Sequence, residues 1–228
     1  MEKQNLVTQN VQAGEYEAYL AYPAEGKNLP GVIIIHEIFG LNDNIRSIAR
    51  RFAENGYVGL AVDLFSKDSS RRLCIVKTVT GMMLNVRKTS HMGALDGAVN
   101  FLQAQPSVEA SRIGIIGFCM GGGYALAFAT HNHELKAASI FYGTNPKPLN
   151  SVAEACPIVG SYPEKDFTTG AAKKLEQELT TFQRSHDIKI YPGAKHSFFN
   201  DTSKAYNQEA AEDAWQRTMS FFKEHVLG

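Results

Sequence analysis

The sequence predicts an α/β fold: a doubly wound, mainly parallel sheet with helices on both faces. Three observations carry that prediction. Apolar runs without alternation, such as Gly31-Val32-Ile33-Ile34-Ile35, suit strands covered on both faces. These runs alternate along the chain with segments of helical periodicity, the pattern of right-handed strand–helix–strand crossovers. Across 228 residues there is no internal repeat, no low-complexity tract and no linker rich in Pro, Gly or Ser, so one domain over residues 1–228 is expected.

The elements follow in order. Tyr16 to Tyr22 alternates as an antiparallel edge strand does. Gly31 to His36 is a strand buried on both faces. Ile45, Ile48, Ala49 and Phe52 then mark one face of a helix, with Gly56 where a C′ glycine stands. Tyr57 to Val62 is the next strand, ending in Asp63. Residues 66–91 have weaker periodicity; they read as a small excursion or lid over a site, or as an irregular helix pair. Leu95, Ala98, Val99 and Leu102 form a helix stripe that stops before Pro106. Arg112 to Gly117 is a buried strand running into Phe118-Cys119-Met120-Gly121-Gly122-Gly123 and a helix to about Thr130. Leu135 to Tyr142, Cys156 to Gly160 and Ile188 to Tyr191 are further strands, with Leu175, Leu179 and Phe182 marking a helix between the last two. Ala211, Trp215, Met219, Phe222 and Val226 give the closing helix.

Composition narrows the function. At 44% hydrophobic and 20% charged, the chain is long enough to bury roughly 70% of its unfolded surface. Its 23 Lys+Arg balance 23 Asp+Glu, so it lacks the basic excess of a nucleic-acid binder, and the short pairs such as Arg50-Arg51 read as solvated helix faces. No run reaches the ~18 apolar residues of a membrane span. Met1-Glu2-Lys3-Gln4-Asn5 leads into no apolar stretch, and the three cysteines, Cys74, Cys119 and Cys156, have no CxxC spacing. A cytoplasmic protein with reduced thiols is expected.

The strongest local signal is Gly117-Phe118-Cys119-Met120-Gly121, the Gly-x-nucleophile-x-Gly form of a nucleophile elbow with Cys at its centre. The nucleophile sits on a strained strand-to-helix turn, where side chains two positions away on either side would collide with the neighbouring strand or helix. A helix N-terminus would bias Cys119 toward thiolate. A nucleophile needs a base, and in this architecture the acid and then the histidine follow it in the chain. Among the later histidines only His196 lies in a loop just past a strand; His131, His133, His186 and His225 read as surface residues on or at the ends of helices. Asp166 suits the acid, with Glu164 as the fallback.

The segments His36-Glu37-Ile38-Phe39-Gly40-Leu41, Asp63-Leu64-Phe65, Gly117-Phe118-Cys119-Met120-Gly121-Gly122 and His196-Ser197-Phe198-Phe199-Asn200-Asp201 resemble those of the dienelactone hydrolase family of α/β-hydrolases. The resemblance extends from about Tyr16 to Val226. It implies a cofactor-independent hydrolase of a lactone or carboxylic ester with the triad Cys119, Asp166 and His196. It further implies an oxyanion hole from the backbone N–H groups of Ile38 and Met120, and a carboxylate, Glu37, that contacts the resting thiol and takes part in its activation. A buried strand-end carboxylate such as Glu37 needs a partner. Phe39, Arg71, Arg72 and Phe198 are candidate substrate contacts. Dienelactone hydrolases proper hold a substrate carboxylate with arginines, one shortly after the catalytic His; here no Arg follows until Arg217, so the dienelactone itself is not the expected substrate.

Other motifs fall away. His36-Glu37 is not HExxH, because Gly40 stands at the second His position. Gly121-Gly122-Gly123 lacks the Lys-Ser/Thr of a P-loop, and no GxGxxG is present, so neither metal nor cofactor is expected. The expected partner is a small ester or lactone, bound by a monomer or homodimer, with no nucleic acid and no membrane. The competing expectation is a non-catalytic or redox-sensing protein that uses Cys119 as a reactive thiol.

Overall fold

Apolar runs with no polar face can be satisfied only in the middle of a layered structure, and there the chain puts them. A computed structural model describes residues 5–67 and 91–228. The strands are β1 (Leu6–Ala13), β2 (Tyr16–Pro23), β3 (Leu29–Ile35), β4 (Val58–Val62), β5 (Val108–Phe118), β6 (Leu135–Phe141), β7 (Ile158–Lys165) and β8 (His186–Lys195). They form one sheet in the order β1-β2-β4-β3-β5-β6-β7-β8. β1 pairs antiparallel with β2 and β2 antiparallel with β4; from β4 to β8 every pairing is parallel.

Among the described residues five helices cover the sheet: α1 (Asp43–Glu54), α2 (His91–Gln103), α3 (Met120–Ala129), α4 (Thr169–Thr181) and α5 (Gln208–His225). Strand residues alternate between two cores. Ile33, Ile35, Leu60 and Ile115 pack with Leu95, Val99, Tyr124 and Leu175 of α2, α3 and α4. Val32, Ile34, Ala61 and Ile116 pack with Ile48 and Phe52 of α1 and Phe222 of α5. Asparagines start two of these helices: the Asn42 side chain accepts from the Ile45 N–H at 3.1 Å, and that of Asn207 from the Ala210 N–H at 3.1 Å. Gly56 has φ +82° just past α1, the left-handed position the sequence assigned it.

Four expectations need correction. Tyr16–Pro23 is antiparallel but is not the edge, because β1 covers it; β1, with exposed Thr8, Gln9 and Asn10, carries too little apolar pattern to be read alone. His186 opens β8 rather than ending a helix. Phe182 lies past the end of α4, at its C-cap, and is 38% exposed, so it does not join Leu175 and Leu179 in the core. β7 starts after Pro157 and runs to Lys165, so Glu164 belongs to the strand and not to the loop. Most of the candidate lid, 68–90, with Arg71, Arg72 and Cys74, lies outside the described residues. Among the described residues no helix is long and apolar enough to cross a membrane.

Candidate active site

β3 sends its next strand to one side of the sheet and β5 to the other, so the point between them is a topological switch point. Ligands of open α/β sheets bind there, beyond the carboxyl ends of the strands. Glu37 follows β3 and Cys119 follows β5. Tyr142 follows β6, Asp166 follows β7 and His196 follows β8.

The Cys119 turn has the strain the motif predicts, with φ 55° and ψ −116°. Its flanking glycines are sterically required. A Cβ on Gly117 would stand 2.1 Å from the Gly121 carbonyl oxygen; one on Gly121 would stand 2.4 Å from that of Ile35 and 2.6 Å from that of His36. The Cys119 N–H donates to the Phe141 carbonyl at 3.0 Å, tying the elbow to β6.

The backbone N–H groups of Met120 and Ile38 and the carboxylates of Glu37 and Asp166 lie close enough to act on the sulfur. Burial above all, then the charge of Glu37, push the thiol up to about 12, against the lowering effect of the two N–H donors. A resting thiol, which the family resemblance implies, is favoured over the thiolate toward which the helix N-terminus alone would bias it. The helix N-terminus acts as anticipated, but desolvation and two like charges outweigh it.

Glu37, 3% exposed, does not face water. The Ser197 hydroxyl donates to its Oε1 at 2.6 Å and the Asn200 side-chain amide to its Oε2 at 2.9 Å. Ser197 reaches it from a left-handed backbone, φ 63°. Two donors satisfy a carboxylate that burial would otherwise penalise. Tyr142, also left-handed at φ 40°, buries its ring; its hydroxyl is raised by burial and by the charges of Glu37 and Cys119, close to Glu37 but short of a full hydrogen-bond geometry.

His196 Nδ1 pairs with Asp166 Oδ2 at 2.9 Å. Burial works to raise Asp166, but the hydrogen bonds from His196 and from the hydroxyl and N–H of Thr168 outweigh it and hold the carboxyl below its usual range. The imidazole lies between two aromatic rings, Phe167 stacked at 5.1 Å and Tyr142 tilted at 4.9 Å. Phe167 is 74% exposed, at the mouth of the site, with exposed Phe39 and Ile38 on the β3 side.

Of the residues singled out in sequence, Cys119, Met120, Ile38 and Glu37 meet around the sulfur, and Asp166 meets His196. Glu164 is engaged elsewhere, accepting the Gly193 N–H at 2.9 Å. Phe198 is corrected: it is 0% exposed, packed among Phe141, Tyr142 and Tyr191 in the core, and reaches no substrate. His131 and His133 are exposed, and His186 and His225 half-buried, all away from the site. Among the described residues no group of three His, Cys, Asp or Glu could hold a metal ion. Sequence reasoning missed Tyr142, Phe167, Ser197 and Asn200. Tyr142 had a usable signal, since it ends the strand beside the elbow; the others answer to loop geometry alone.

The description of the dienelactone hydrolase family matches residues 16–226. A protein of Saccharolobus solfataricus, provisionally named a carboxymethylenebutenolidase, is 35% identical over 90% of this chain and 93% of its own length. A Bradyrhizobium protein, provisionally named a 2-oxo-3-(5-oxofuran-2-ylidene)propanoate lactonase, is 31% identical over 92% of this chain and 90% of its own. The crystal structure of a provisionally named dienelactone hydrolase from Klebsiella pneumoniae aligns with TM-score 0.87 at 28% identity, covering 97% of this chain and 100% of that one. Its sheet and those of related esterases are of the α/β-hydrolase fold.

Proposed function

The chain belongs to the dienelactone hydrolase family and is a hydrolase of esters or lactones, and from that premise we propose that it works without a cofactor, through attack by Cys119 and an acyl-enzyme. The observation that carries this reading is the convergence of the Ile38 and Met120 N–H groups on the Cys119 sulfur. Donors that meet at the nucleophile also meet at the oxygen of a carbonyl it attacks, where each contributes on the order of 3 kcal/mol to the developing oxyanion.

The resting thiol is protonated. Glu37 accepts its proton as a carbonyl enters, the thiolate attacks, and the oxyanion forms against Ile38 and Met120. As the tetrahedral intermediate collapses, the proton is delivered through His196 to the leaving alkoxide. The imidazole then takes a proton from water, which attacks the thioester, and returns it to the departing sulfur; Asp166 keeps Nδ1 protonated and oriented. Asn200 directs its amide to Glu37 in the stretch where dienelactone hydrolases proper carry an arginine, which favours a neutral ester or lactone over a carboxylate-bearing one. A redox sensor needs a low thiol pKa, and the burial of Cys119 sets it the other way.

Cys119→Ala is expected to abolish hydrolysis across a panel of lactones, aryl esters and thioesters while the thermal melt stays within a few degrees of the parent. Wild-type protein quenched during turnover should carry the acyl mass on the Cys119 peptide. Full activity in the variant would sink the proposal.

A further inference from the structure

We infer that His36 is a positioning residue for the oxyanion hole, acting through the peptide group that joins Glu37 to Ile38; this rests on the reading of Ile38 as an oxyanion donor. The imidazole is wholly buried, packed at 4.7 Å on the Phe65 ring. The Leu64 N–H donates to its Nε2 at 3.0 Å, with the Asp63 carboxylate 3.4 Å from the same nitrogen; with Nε2 accepting, the ring proton sits on Nδ1. Nδ1 lies 2.5 Å from the Glu37 carbonyl oxygen, to which it donates. That oxygen also accepts the Gly40 N–H at 3.1 Å.

In a trans peptide the carbonyl and the N–H point in opposite directions. Fixing the Glu37 oxygen on one side therefore aims the Ile38 N–H to the other, where the Cys119 sulfur receives it. Two donors on the carbonyl also polarise the peptide and make its N–H the better donor. Ile38 is 36% and Phe39 59% exposed, whereas the ring that holds the carbonyl is wholly buried. The ring supplies the rigidity, and it is itself fixed by Leu64 at the end of β4.

Two substitutions separate the ring's two hydrogen bonds. His36→Asn keeps a donor near Nδ1 and loses the acceptor for Leu64; His36→Gln keeps an acceptor near Nε2 and loses the donor to Glu37. On an activated aryl ester, His36→Gln should lower kcat about ten- to a hundredfold, below the full loss of an oxyanion donor, with KM within about threefold. His36→Asn should recover most of that kcat, although both variants lose similar thermal stability. Unchanged kcat in His36→Gln, or equal kcat losses in the two, would overturn the inference.

The wild-type protein offers a second measurement that does not depend on a variant folding. With 15N-labelled histidine, the low-field Nδ1–H resonance of His36 should move further downfield when a trifluoromethyl ketone forms its tetrahedral adduct on Cys119. An unmoved resonance beside an adduct confirmed by mass would also overturn it. If the resonance moves but the wild-type protein hydrolyses no ester or lactone, the inference stands and the proposed function falls.

Discussion

The nucleophile half of the site, residues 36–40 with Cys119 and Met120, is made largely of backbone, whereas the base half, Asp166, Phe167 and His196, is made of side chains. In the first, a Cβ at Gly117 or Gly121 would overlap carbonyl oxygens, and N–H groups do the binding. In the second, one 2.9 Å hydrogen bond and a stack of rings hold an imidazole whose side chain is 27% exposed. The difference teaches that the two halves should fail differently. Damage to the backbone of the first, at its glycines, should appear as lost folding; damage to the side chains of the second should appear as lost rate.

The sharpest way to break that comparison is Gly121→Ala. Its Cβ would meet two backbone oxygens of the β3 end, and an expected loss of at least about 3 kcal/mol lowers the melting temperature by roughly 6–12 °C or prevents folding. Gly170→Ala in α4, where a Cβ meets nothing within 4 Å, should instead be neutral or stabilising by up to about 1 kcal/mol in the same melts. Equal effects at the two glycines would remove the distinction.

Asp166→Asn tests the other half. Hydrolysis should fall by about 10²–10⁴ because Nδ1 loses its carboxylate, with near-native stability at neutral pH. A carboxyl held below its ordinary value stabilises the fold above that value, 3.8, and the contribution is lost as pH falls through the lowered pKa. Urea melts from pH 6 to pH 2 should therefore show a steeper acid loss in the parent than in the variant.

A smaller effect is expected from Glu37→Gln. With the second-largest cause of the raised thiol removed and burial left in place, the iodoacetamide profile of the Cys119 peptide should shift partway toward lower pH. An unmoved profile would mean that Glu37 does not act on the resting sulfur. The smallest change is Phe167→Ala: removing an exposed ring that stacks on His196 should lower kcat/KM a few-fold and leave stability within about 0.5 kcal/mol.

How much of this was legible follows from where each constraint lives. The central strands were readable because burial on both faces leaves an unbroken apolar run, as in Val32 to Ile35. The elbow was readable because close approach leaves only glycine at 117 and 121. β1 was not, since its partner across the hairpin, and not its own apolar content, makes it a strand. The order Cys119, Asp166, His196 reflects the order of strand ends, which sequence preserves. Ser197 and Asn200 reach Glu37 across about 160 residues through a left-handed loop, and a linear pattern carries no trace of that. The balance at the thiol was hidden for a related reason: the helix N-terminus is a local property, whereas desolvation and the charge of Glu37 arise only on folding.

Among the described residues five non-glycine positions take positive φ, and three of them belong to the site: Cys119 itself, Tyr142 against the His196 ring and Ser197 on the Glu37 carboxylate. Glycine at any of these would relax the backbone, and it would delete the nucleophile at Cys119 or a side chain that supports His196 or Glu37. A search for heat-resistant variants should thus find these positions tempting and gain robustness there only in proteins that no longer turn over. Asn28 and Gln183, left-handed but remote, are where the same relaxation comes without that sacrifice.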